Sequence, residues 1–288
     1  MTVQEEILAK AHKIPPLSES AEQLMELMGK REHQISQIVT IVQCDAALTA
    51  KVLRVVNSAM LSLAEPITSV ARAVSYLGDK MVLGIALESC ARDVYQKPLE
   101  GYASETGVLW QHNLRAAIAS KEVARYAREG VSPDLAFTGG LLHDIGKSVL
   151  SEFLQETASE LAEGVDKGTY HDYLAAEEGK LGTNHCVIGA ELAQVWKLPA
   201  PLVDVIRHHH HPREAEEGCR GLVYIVHLGD FIAMLGGTGT GSDTLSYHMD
   251  DGYTDFVDVG PESLTKIMVQ VEDEFSRNKQ LLIPEKEE

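Results

Sequence analysis

Leu141-Leu142-His143-Asp144-Ile145-Gly146-Lys147-Ser148-Val149 sets an adjacent imidazole and carboxylate inside an apolar, helix-period run. At about 100° per residue, Leu141, Leu142, Ile145 and Val149 form the apolar side. His143, Asp144 and Lys147 fall on the other arc with Gly139 and Gly140. Upstream, Ser132 can cap the helix and Pro133 fits its first position, so one helix is predicted over 133–155. A neutral nitrogen beside an anionic oxygen can hold one ion or bridge two. Lys147, one turn beyond His143, can balance the carboxylate or hold a phosphate oxygen. Tyr170-His171-Asp172 repeats the His-Asp pair without the Gly-Lys, in a polar, linker-like stretch, and reads as a chance match.

Working outward, the same period predicts helices near 107–128, 184–197, 200–211 and 220–235, with no strand alternation and no internal repeat. The expected fold class is therefore all-α. In 202–211, Leu202, Val205 and Ile206 define an apolar arc that contains His209 and borders His210. Asp204, Arg207, His208 and His211 face the other way. Two adjacent inward histidines on an apolar helix favour metal binding over simple packing. Asp230 lies on a helix that is apolar nearly all round, where an ionised carboxylate costs several kcal/mol unless paired or metal-bound. A buried arginine partner or a capping role is the alternative. His227 shares that helix as a supporting or merely packed residue. His112 sits in a stripe of small residues (Ala116, Ala119, Ala127), which lets another helix approach closely. His185 opens a helix capped by Thr183 or Asn184.

The N-terminal half repeats the helical signal, with Leu48, Val52, Val56 and Met60 every four residues. Pro15-Pro16 and Glu65-Pro66 punctuate it. Thr68 or Ser69 can cap the run through Leu77, and Gly78 can stop it. The pattern loosens around Pro98 to Gly107, which suggests an N-terminal helical subdomain (1–100), a metal-binding helical domain (101–275) and a polar tail (276–288), solvated from Pro284 onward. Gly236-Gly237-Thr238-Gly239-Thr240-Gly241 follows a helix and lacks a succeeding Lys-Ser/Thr, so it reads as a flexible loop rather than a phosphate loop.

The 288 residues carry 25 Lys and Arg against 43 Asp and Glu, a formal charge of −18. That balance argues against wrapping nucleic acid or coating an anionic membrane. No apolar run reaches the roughly 18 residues of a membrane span. The first ten residues lack a signal pattern, so a cytoplasmic location is expected. Cys44, Cys90, Cys186 and Cys219 make no C-x-x-C pair, which argues against a zinc knuckle or a disulfide framework. Nine of the 12 histidines lie between His112 and His227, and that imbalance marks the functional half.

In order, the chain carries an isolated His112, His143-Asp144 with Gly146-Lys147, His185-x-x-x-Gly189, His209-His210 after an apolar run, and a buried Asp230. This set resembles the HD superfamily of metal-dependent phosphohydrolases. Ile14-Pro15-Pro16-Leu17, Asp45-Ala46-Ala47-Leu48, Val56-Asn57-Ser58-Ala59, Ile67-Thr68-Ser69-Val70 and Trp196-Lys197-Leu198-Pro199 are similar to the HDOD family, bacterial signalling domains related to it, over roughly residues 10–270. The resemblance implies two divalent ions, iron favoured with manganese or zinc as alternatives. His112, His143 and Asp230 would hold one, His185, His209 and His210 the other, with Asp144 bridging. Asp144 and Lys147 would be the catalytic pair.

Members of this family include regulatory modules that lack metal ligands, whereas the full ligand set is matched here. His211-Pro212-Arg213 stands where the acidic residue and Gly-Tyr-Pro of relatives that hydrolyse cyclic di-GMP would follow. Val108 replaces the Glu that some relatives use for a third ion. Three readings follow: a signalling or regulatory protein with a dinuclear site and a protein partner, a phosphohydrolase acting on a phosphodiester or nucleotide through a metal-bridging hydroxide, or an interaction module whose histidines serve only folding. The inward-facing histidines argue against the third. The oligomeric state is left open.

Overall fold

The structure is a computed structural model that describes residues 2–14, 17–28, 30, 33–57, 67–90 and 98–282, apart from the side chains of 88–90 and 278–282. Met60, Pro15-Pro16, Ser58-Ala59, Glu65-Pro66 and the tail from Pro284 lie outside the described residues. Among the described residues the chain is all-α. There is no strand, and only two isolated bridge pairs occur, Leu99 with Ser104 and Ala127 with Val257. No described helix is long and apolar enough to cross a membrane.

Along the chain the helices are α1 (Val3–Ala11), α2 (Glu19–Met28), α3 (Ile35–Cys44), α4 (Ala46–Val56), α5 (Val70–Leu77) and α6 (Asp79–Cys90). They continue with α7 (Val108–Ala124), α8 (Pro133–Leu142), α9 (Lys147–Leu154), α10 (Ala158–Asp166) and α11 (Tyr173–Leu181). The last four are α12 (His185–Val195), α13 (Ala200–His208), α14 (Arg220–Leu235) and α15 (Pro261–Leu282). Contacts divide the chain into two compact units. One joins Met1–Pro16 to Asp93–Val271, and the other joins Leu17–Arg92 to Glu272–Glu288.

In the smaller unit, α2 to α6 pack on one another around Leu24, Ile38, Val42, Leu48, Val52, Val56 and Val74, each almost wholly buried. The Asp45 carboxylate accepts from Leu48 N–H and caps α4, and the Ser20 hydroxyl donates to its other oxygen. Ser69 precedes α5, and Gly78 ends it with φ +81°.

In the larger unit, α7 is the central rod and packs most extensively on α8 and α14. The approach is close because Gly140 of α8 faces it, where a Cβ would sit 2.8 Å from the Ala116 carbonyl oxygen. Ser132 caps α8 by accepting from Leu135 N–H, and Pro133 holds the first position. The predicted helix over 133–155 is instead two helices, α8 and α9, parted at 143–146. There the amides of Ile145, Lys147 and Ser148 bond three residues back, a tightened turn. Gly146 permits the chain to lie against α12 at that point, where a Cβ would come within 1.9 Å of the His185 carbonyl oxygen. The run over 200–211 also ends earlier, with His209 as the C-cap of α13.

Candidate metal centre

The break between α8 and α9 brings Asp144 to the middle of a buried cluster. Its Oδ2 lies 3.5 Å from His143 Nε2 and 3.6 Å from His112 Nε2. Its Oδ1 lies 3.4 Å from His185 Nε2 and 3.5 Å from His209 Nε2. One carboxylate thus faces two groups. In the first, His112 from α7 and His143 approach within 3.4 Å, and Asp230 Oδ1 from α14 reaches His112 Nε2 at 3.0 Å and His143 Nε2 at 3.6 Å. In the second, one donor atom each from His185, Cys186, His209 and His210 lies within 4.8 Å of the others.

The imidazoles are oriented from behind. Through Nδ1, His112 meets the Thr238 carbonyl at 2.7 Å, His143 the Gly140 carbonyl at 2.8 Å and His209 the Ile206 carbonyl at 3.0 Å. His185 Nδ1 meets the Glu177 carboxylate at 2.8 Å. A carbonyl can only accept, so Nδ1 donates in the first three, and Nε2 is left toward Asp144 in all four. His185 Nε2 and both His210 nitrogens are buried with no hydrogen-bond partner. Buried polar atoms are normally satisfied, so orphan nitrogens gathered in one buried cluster fit a site for a cation. The donor set of imidazoles and carboxylates suits a divalent metal.

The field of the cluster is mixed. Burial alone would raise the Asp144 carboxyl, but Lys147 and the surrounding histidines hold it well below the usual carboxylate range. Asp230 is likewise held down, against burial, by His112 and His143. Burial lowers His143, and burial with the neighbouring His209 and His185 pushes His210 far down. His209 rises to about 9, where burial is outweighed by Cys186 and Asp144. Burial opposes ionisation of the Cys186 thiol, yet His185 and His209 bring it down to about 6.

All seven residues singled out as ligands are at most 6% exposed, and Lys147 is 2% exposed. Lys147 Nζ stands 2.8 Å from Asp144 Oδ2 and 2.7 Å from Asp243 Oδ2, and donates to Thr240 Oγ1 at 3.0 Å. His227 is not among the cluster: Nδ1 donates to the His209 carbonyl and Nε2 accepts from Asp250 N–H. It braces the His209 backbone. His208 is partly exposed and His211 fully so, as helical phasing predicts. His171 is exposed, and Asp172 caps α11.

Several residues of the site carry no sequence signal. Glu177 receives the His185 amide and ring and the Tyr102 hydroxyl. The 236–241 segment read as a flexible loop meets the cluster at Thr238 and Thr240, and the residues that follow it, 242–247, close on the cluster too. Thr240 and Asp243 are 1% and 0% exposed, and the Tyr247 ring stacks on His210 at 3.9 Å while its hydroxyl donates to Asp243. Cys186 was set aside for lack of a second nearby cysteine, and its position next to His185 was the available hint.

Fold and geometry together define an all-helical protein with a buried His/Asp cluster able to hold metal. The chain belongs to the HDOD domain family, whose profile matches residues 14–212 and stops short of Asp230 and the covering loop. An uncharacterized protein of Treponema pallidum (strain Nichols) is 26% identical over 214 residues. That match spans 74% of this chain and 40% of the relative's length. An HDOD domain protein of unknown function from Geobacter sulfurreducens has the same fold, with a TM-score of 0.73 at 21% identity, covering 98% of this chain and 97% of that one. A candidate signal transduction protein from Marinobacter aquaeolei VT8 gives 0.74 at 21% identity, covering 97% of this chain and 65% of that one.

Proposed function

We propose that this chain is a signalling or regulatory HDOD protein that holds two divalent ions, iron favoured, in a buried dinuclear centre. The observation that carries the reading is Asp144, whose two oxygens face two separate sets of inward-turned imidazoles. His112, His143 and Asp230 hold one ion, His185, His209 and His210 the other, and Asp144 both. Closure of the site favours regulation over turnover. Tyr247 covers His210, and Asp144, Asp243 and Thr240 engage Lys147, leaving that lysine no free N–H for a phosphate. A centre of this kind reports its metal content to a protein partner through the segment 238–247, because Thr238 anchors His112 and Asp243 anchors Lys147.

The second reading is a phosphohydrolase, favoured by the lysine beside the bridging carboxylate. Bound ions would supply Lewis-acid polarisation and an activated water. Lys147 would then leave Asp243 to neutralise charge on a phosphate oxygen, and His112 and His143 would stay fixed by their carbonyl partners. Such a protein has a phosphodiester or nucleotide as its small-molecule substrate.

Anaerobic purification with metal analysis tests the centre, and a screen of phosphodiesters and cyclic nucleotides separates the readings. Two equivalents of metal without turnover support the regulatory role, and metal-dependent hydrolysis supports the enzyme. Asp144→Ala is expected to lose both ions with helical content intact. Undiminished metal in that variant refutes the bridging role.

A further inference from the structure

The two halves of the cluster differ chemically in a way that the histidine pattern does not account for. Around His112 and His143 the additional donors are the carboxylates of Asp144 and Asp230. Around His185, His209 and His210 the additional donors are the other oxygen of Asp144 and a thiol. Cys186 Sγ lies 3.8 Å from His209 Nδ1 and 3.9 Å from His209 Nε2, and belongs to the set of four donors within 4.8 Å. All four residues are buried, Cys186 at 3% exposure and the histidines at 0%, 0% and 6%. Within that set His185 Nε2 and both His210 nitrogens have no hydrogen-bond partner.

Helix geometry explains the placement. His185 and Cys186 are the first two residues of α12, where Asn184 caps the helix and Glu177 fixes the His185 ring. Successive side chains at a helix start diverge by about 100°, so one turn of helix offers a nitrogen and a sulfur to a single point only if other ligands approach from a second element. His209 and His210, just past the end of α13, do so. Bonds of about 2.0–2.3 Å set neighbouring donors about 3–3.6 Å apart around one ion, so a modest contraction of this group suffices.

We propose that Cys186 Sγ joins His185, His209, His210 and the Asp144 oxygen as a ligand of their ion, so that this half of the centre carries a sulfur donor and the other half only nitrogen and oxygen. This rests on the metal-centre reading above. A thiolate selects softer ions, so this half discriminates against manganese and magnesium and takes zinc, iron or cobalt, while the other half accepts harder ions.

Cobalt(II) loading of the metal-free full chain, followed by absorption spectroscopy, tests it. The expected result is a near-ultraviolet thiolate-to-cobalt charge-transfer band that is lost in Cys186→Ser. Zinc affinity of that variant should fall at least about 10–100-fold. Should Cys186→Ser fail to fold, the C44S/C90S/C219S variant, which keeps Cys186 as its sole cysteine, must retain the band. Cobalt uptake without the band overturns the thiolate ligand and leaves the dinuclear centre standing, as does a band that survives in Cys186→Ser. No cobalt or zinc uptake at all overturns the centre itself.

Discussion

Asp144 and Glu177 show how differently two buried carboxylates enter one site. Asp144 sits in a motif and points at four imidazoles, whereas Glu177 touches only the back of one. Its carboxylate accepts from the His185 amide at 2.8 Å and pairs with the ring at Nδ1, which fixes the ring plane and leaves Nε2 toward Asp144. Glu177→Gln keeps the shape and removes the charge, so the variant should fold with unchanged helicity while metal affinity falls about 10–100-fold. Competition with a chromogenic chelator measures this, and unaltered affinity would show that ring orientation is set elsewhere. The protonation states yield a second prediction. Unfolded, His185 and His209 titrate near 6.5 and Cys186 near 9. Folded and metal-free, burial opposes both imidazoliums, but Cys186 and its neighbours raise them, His209 to about 9, while the thiol falls to about 6. Above pH 6.5 the folded state therefore keeps imidazole protons on His112, His185 and His209 that the unfolded chain gives up, against the one thiol proton that Cys186 has already lost, a net excess of protons. That contribution is full below pH 6.5 and is lost as pH rises through 9. Metal displaces these protons, so its binding strengthens over the same interval. Thermal midpoints should fall with pH for the chelated protein and rise for the metal-loaded one. Parallel slopes would refute the assignment.

At the scale of elements, the break between α8 and α9 does what a continuous helix cannot. In an unbroken helix His143, Asp144 and Lys147 share one arc, and Asp144 can face only one neighbour. With the turn at 143–146, α9 packs on α12, and the carboxylate stands between His112 of α7 and His185 of α12. Gly146 permits this by lying against the His185 carbonyl. Gly146→Ala inserts a methyl where 1.9 Å is available, forcing α9 and α12 apart. The expected cost is about 1–3 kcal/mol or more, read as a lower midpoint in denaturant unfolding, together with weakened metal binding as His185 withdraws from Asp144. A stable variant with full metal affinity would show that the turn has another cause. The sequence betrayed the glycine, but its period continued through 133–155, because the same apolar residues that would line one helix also line two.

Over the whole molecule, the all-α class, the helix starts at Ser132 and Asn184, and the inward turn of His209 and His210 were legible because they depend on periods and caps a few residues long. The HDOD family was legible from ordered motifs spread through the chain. The division into compact units was not written in chain order: residues 1–16 pack with 93–271, an association made by tertiary contacts alone. The same holds for Glu177, Thr240, Asp243, Tyr247 and Cys186. Each approaches the cluster from a stretch with no local pattern to mark it, and Thr240 sits in the 236–241 stretch that reads as a Gly-rich loop. Sequence by itself determined which side of each helix is polar and which residue types are present to bind a cation. Only the tertiary structure decided that one carboxylate meets both halves, that a thiol stands beside one of them, and that residues 238–247 touch His112, Lys147 and His210. Periodicity fixes direction about a single axis, whereas a coordination sphere requires several axes to converge on one point.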